Sequence, residues 1–121
     1  MDKRVTGNRI VDLTFEFSLK IIAFSELLEE KRKFAIANQI IRSGTSIGSN
    51  VSEAQNSESR ADFIHKLKIA AKEAEETEYW LLLCQFSENY PFDENLLVQI
   101  KEIEKILTSI INSAKKKYLE K

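Results

Sequence analysis

Apolar residues recur at alternating intervals of three and four through almost the whole of this 121-residue chain. That spacing sets them along one face of an α-helix, where each turn brings the next side chain over the last. It persists through four segments, which predict helices at 8–30, 33–55, 58–88 and 93–118. Three glycines and one proline are too few for the repeated turns of a sandwich or barrel. Connections of about 2–6 residues between long helices force neighbours to run antiparallel, so the expected fold is an all-α, up-down-up-down four-helix bundle in one domain.

The seams can be read residue by residue. The first segment offers Ile10, Leu13, Phe17, Ile21, Phe24 and Leu28, with Asn8 as N-cap. The second offers Ala37, Ile40, Gly44, Ile47, Val51 and Ala54, and the third Phe63, Leu67, Ala70, Ala74, Thr77, Leu81 and Cys84. Ser59, or else Ser57, caps the third helix; Asn89-Tyr90-Pro91 ends it, and Asp93 and Glu94 open the fourth. The fourth helix is expected to bury Leu96, Ile100, Ile103, Leu107, Ile110 and Ala114. Gly44 and Gly48 each lose about 1 kcal/mol of helix propensity relative to alanine. Their place in an unbroken apolar pattern implies close approach of another backbone. Small residues concentrate in the second and third segments, which should therefore pack closest.

Further apolar residues lie off the seams: Val11, Phe15, Leu19 and Ile22 in the first helix, Ile64, Ile69, Trp80 and Leu83 in the third, and Leu97, Ile106 and Ile111 in the fourth. A surface helix of a monomer normally shows one stripe. The surplus predicts self-association, with Phe15, Leu19, Ile22 and Trp80 as interface residues.

The inventory for catalysis is thin. His65 is the only histidine, with Asp62 three residues before it, so a di-metal carboxylate bundle site has at best half of one motif. Cys84, the only cysteine, sits on an apolar seam and reads as a small core residue. Phosphate-cradling glycine loops are absent. The expectation is a protein with no enzymatic activity, metal or cofactor. No apolar run approaches the ~20 residues of a membrane span, and the single cysteine with no evident signal peptide points to the cytoplasm.

Net charge is only −1, but it is unevenly placed. The topology would gather residues 1–12, 53–72 and 108–121 at one end, with a net +5 there and −6 elsewhere. Lys3, Arg4, Arg9, Arg60, Lys66, Lys115, Lys116 and Lys117 make that end a candidate footprint for nucleic-acid backbone. Lysines near a helix C-terminus also complement its dipole, so charge alone does not decide. The acidic run Glu73, Glu75, Glu76 and Glu78 reads as a solvated face balanced by Lys66, Lys68 and Lys72.

Two stretches carry a family resemblance. Gln39, Arg42, Ser46 and Asn50-Val51-Ser52-Glu53-Ala54 follow the pattern Q-x-x-R-x-x-x-S-x-x-x-N-I-A-E-G. Leu67-Lys68-Ile69-Ala70, Glu76-Thr77-Glu78 and Leu81 follow F-L-x-I-A-x-x-S-x-x-E-L-E-x-x-L. In these the chain resembles the four-helix-bundle family known as 23S rRNA intervening sequence proteins. It departs from the pattern where Ala54 stands for the helix-ending glycine and Lys72-Glu73 for a pair of small residues. The resemblance implies a ring-like pentamer, no enzymatic activity and a connection to RNA. Some members are encoded within ribosomal RNA insertions, and a related accessory protein of diversity-generating retroelements binds RNA and a reverse transcriptase. It adds Arg42 to the candidate nucleic-acid-binding residues. It also marks Asn50, Glu53, Glu76 and Glu78 as structural polar contacts beside the seam between the second and third helices. Two functional readings remain: an oligomeric bundle that binds structured RNA or other nucleic acid, and a protein-protein adaptor or scaffold.

Overall fold

The computed structural model describes residues 5–119. Four helices follow one another: α1 (Arg9–Glu30), α2 (Phe34–Ala54), α3 (Arg60–Phe86) and α4 (Glu94–Leu119). Local chemistry sets their ends. The Asn8 side chain accepts from the Val11 amide at 3.3 Å and that of Ser59 accepts from Asp62 at 3.0 Å, each satisfying a first-turn N–H that has no partner within its helix. Of the two serines that could cap α3, Ser59 does so. Arg32 closes α1 in the left-handed region (φ 64°); its amide donates to the Glu29 carbonyl and the Lys33 amide to that of Leu28, the paired bonds of a Schellman ending.

The α2–α3 turn shows how the missing glycine is tolerated. Gln55 caps α2 in right-handed geometry (φ −65°, ψ −23°). The amides of Gln55, Asn56 and Ser57 donate to the carbonyls of Ser52, Glu53 and Ala54, tightening the last turn. No residue of that turn has positive φ, so Ala54, fully buried and helical, fits.

α1 packs on α2, α2 on α3 and α3 on α4, and α4 returns to α1. The core runs along the common axis through Phe17, Ile21, Leu28, Ile47, Leu81 and Ile103, among others. α2 and α3 share the most extensive interface, as their small residues predict, and α1 and α4 the least. α1 and α4 bury bulky residues such as Phe17, Phe24 and Leu107, and side-chain size sets the distance between helices. The α2–α3 interface holds one buried hydroxyl pair: Thr77 Oγ1 lies 2.9 Å from Ser43 Oγ and 2.8 Å from the Glu73 carbonyl. Mutual bonding removes the penalty of burying either group.

Two expectations need correction. The glycines of α2 are expected to meet another backbone; both face α1, and at Gly44 the approaching group is a side chain. A Cβ on Gly44 would lie 2.7 Å from Ile21 Cγ2, and one on Gly48 would lie 3.2 Å from the Thr14 carbonyl oxygen. In α4 the buried stripe ends on Ile111, which leaves Ile110 and Ala114 half-buried. A straight helix drifts against a strict heptad, so one seam shifts by a residue over several turns.

The off-seam apolar residues divide. Ile64, Trp80, Leu97 and Ile106 pack against the core, and Ile111 enters it. Leu19 and Ile22 of α1 remain 49% and 39% exposed.

Candidate nucleic-acid interface

The antiparallel course brings the start of α1, the α2–α3 turn and the end of α4 to one end of the bundle. Lys115, Lys116 and Lys117 are exposed on the last turns of α4. Arg60, the first residue of α3, and Lys117 line a groove of about 670 Å³ between that helix and α4. Ser57 and Ser59 contribute hydroxyls from the turn, and Ser109 and Ser113 from α4; Phe63, Ile110 and Ala114 supply an apolar lining. Among the described residues, Glu58 is the one carboxylate on its wall.

Other residues expected in the basic set stand elsewhere or are already engaged. Arg9 pairs with Glu102 of α4 at 2.6 Å, and Lys66 with Glu53 at 3.3 Å. Arg42 lies away from that end, midway along α2, where it bridges to Glu73 and Glu76 of α3. Lys3 and Arg4 lie outside the described residues. The acidic side tightens the same end: Asp12 accepts from the Thr6 amide and hydroxyl, at 2.9 and 2.7 Å, folding the segment before α1 onto the helix. Asn8 Nδ2 donates to Gln55 Oε1 at 3.1 Å, tying the start of α1 to the end of α2.

The motif polar residues take three roles. Glu53 and Glu76 join α2 to α3 through Lys66 and Arg42. Asn50 donates to the Ser46 carbonyl of its own helix at 2.9 Å. Glu78 does not share this seam. Two residues beyond Glu76 it is rotated by about 200° and meets α4, with Lys101 Nζ at 3.8 Å. Glu73, Glu76 and Glu78 of the acidic run are therefore paired with Arg42 and Lys101 from neighbouring helices, rather than with Lys66, Lys68 and Lys72 of their own.

Glu78 also bonds to Glu104 of α4. Burial first, then that hydrogen bond and the negative charges of Glu78 and Glu75, push Glu104 from an ordinary 4.5 up to about 7, against the opposing pull of Lys101. The folded state thus keeps a proton that the unfolded chain releases. This contribution to stability is complete below pH 4.5 and is lost as pH rises to about 7. Glu104→Gln should flatten that decline, raising Tm relative to the parent at pH 8 and much less at pH 4.5. Thermal melts at the two pH values check it.

His65 is exposed on α3. Cys84 is buried, and burial pushes its thiol up to about 11, which makes it a poor nucleophile at neutral pH. Among the described residues no cluster of histidine, cysteine and carboxylate side chains is placed to hold a metal, and no helix is long and apolar enough to cross a membrane.

Phe15, Leu19 and Ile22 of α1 line a second groove, of about 290 Å³, with Thr45, Gly48 and Ser52 of α2. Trp80 stands apart on α3, edge-on to Tyr79 at 5.5 Å between ring centres, with its indole N–H buried and unbonded.

Comparison with known proteins agrees with this architecture. A family model described as 23S rRNA-intervening sequence protein matches residues 7–109. A crystal structure of a protein with unknown function from the S23 ribosomal protein family of Bacteroides thetaiotaomicron VPI-5482 is 46% identical, with a TM-score of 0.80. The match covers 84% of this chain and 97% of that one. No curated protein matches.

Proposed function

This chain belongs to the 23S rRNA-intervening sequence protein family, and from that premise we propose a non-enzymatic bundle that binds structured RNA through its basic end and works as a ring-like homo-oligomer. The observation that carries the reading is the gathering of Arg60, Lys115, Lys116 and Lys117 at one end by the antiparallel topology. Cations so placed neutralise backbone phosphates and release the counterions condensed on them. Near that end Glu53 and Glu102 are each paired with a basic side chain, so these pairs add no net charge to the field. The family's tie to ribosomal RNA insertions makes RNA the favoured polyanion. Filter binding of a structured RNA at low and moderate salt tests the reading. Binding that falls steeply with salt supports it, and no binding at low salt removes it.

Assembly rests on the α1–α2 groove, where Leu19 and Ile22 stay exposed beside small residues that let another helix approach. The family resemblance favours a pentamer, and a ring would repeat a modest basic end around its axis. Light scattering at micromolar concentration should return several times the 14.0 kDa chain mass, and Ile22→Glu should lower it. A 14.0 kDa species from the parent protein would leave the second reading, an adaptor that uses this groove for a different protein.

A further inference from the structure

The groove beside Arg60 differs from the rest of the basic end in being a shaped concavity. Its volume of about 670 Å³ falls in the range of about 300–1,000 Å³ typical of small-molecule clefts. Its chemistry is divided. Arg60 and Lys117 provide cations, and Ser57, Ser59, Ser109 and Ser113 provide hydroxyls. The Ser59 oxygen already accepts from the Asp62 amide, so its own proton remains available to donate. Phe63 and Ile110, both half-buried against the core, present apolar surface beside these polar groups. Ser109, Ser113 and Lys117 follow at intervals of four, which keeps all three on one face of α4.

We propose that this groove is a nucleotide-binding subsite for single-stranded or looped RNA: it takes one backbone phosphate between Arg60, Lys117 and the serine hydroxyls, and the attached base lies against Phe63. The inference rests on the RNA-binding reading above and specifies where a nucleotide is held. Arginine and lysine meet the phosphate charge, hydroxyls donate to its oxygens, and an aromatic face accepts any base by stacking. Glu58, on the wall, opposes the phosphate and limits affinity.

The test compares two charge insertions one residue apart. Ser113→Glu places a carboxylate in the groove. Asn112→Glu makes the same change in net charge on an exposed residue of α4 that does not line it. Fluorescence anisotropy with a labelled single-stranded RNA should show Ser113→Glu weakening binding by about tenfold and Asn112→Glu by about twofold or less. Equal losses in the two variants would mean that the end acts as a diffuse field; they would overturn the subsite and leave the RNA-binding reading standing. Failure of the parent protein to bind the single-stranded RNA at low salt would overturn the subsite, and failure to bind a structured RNA as well would overturn both. Amide shifts of the parent protein on RNA addition serve if Ser113→Glu does not fold. Perturbation centred on residues 57–63 and 109–117 supports the subsite, and perturbation spread over the basic end without that centre overturns it.

Discussion

Replacing Gly44 by valine should destabilise the protein by about 3 kcal/mol, a large share of the roughly 5–15 kcal/mol that holds a domain of this size. Helix propensity points the other way, since valine is a better helix former than glycine by a few tenths of a kcal/mol. Packing decides the sign. The Cβ alone would stand 2.7 Å from Ile21 Cγ2 and 2.9 Å from Cγ1, and Ile21 is wholly buried in the core. Neither side can yield without moving α1, and two further methyls enlarge the overlap. Gly44→Ala should be milder, because its propensity gain offsets part of the clash. Ile21→Ala creates a cavity alone but removes both atoms that Gly44→Val strikes, so the double variant should be more stable than the sum of the singles predicts. Chemical denaturation of the four proteins measures this coupling. Strict additivity would mean that α1 and α2 do not meet through this pair.

The largest functional effect should come from α4. Lys115→Gln, Lys116→Gln and Lys117→Gln together should weaken RNA binding by about 10²–10³ at low salt and flatten its salt dependence by about 0.7–0.9 per lysine that touches phosphate. Glutamine keeps length and helix propensity and removes only charge. The altered dipole interaction at the end of α4 should cost at most about 1 kcal/mol per residue. Lys20→Gln, Lys31→Gln and Arg32→Gln remove the same charge from elsewhere on the bundle and should change binding little. Equal losses in both triples would point to net charge rather than to the basic end.

The heptad pattern made the helices and most of the core legible. All six residues on the expected α2 seam are buried, and so is the expected α3 seam from Leu67 to Cys84. What repeats along one helix does not say which neighbour it meets. Gly44 announced a close approach, but that the approach comes from Ile21 of α1 is a property of the assembled bundle. Glu76 and Glu78 look like one motif in sequence, yet a separation of two residues turns them to different helices. Arg42 read as a basic residue of the family pattern; its carboxylate partners lie 31 and 34 residues away, so nothing local discloses them. The groove left a faint trace in the spacing of Ser109, Ser113 and Lys117. Its other wall comes from the α2–α3 turn, and only the return of α4 to that end of the bundle closes it.

Whether the basic end holds RNA by its phosphates is read from the salt dependence of affinity for a structured RNA. Log K should fall linearly with log salt, with a slope that becomes shallower in the Lys115, Lys116 and Lys117 variant and stays unchanged in the Lys20, Lys31 and Arg32 variant. Absence of binding at low salt, or a slope that both variants leave untouched, would contradict it.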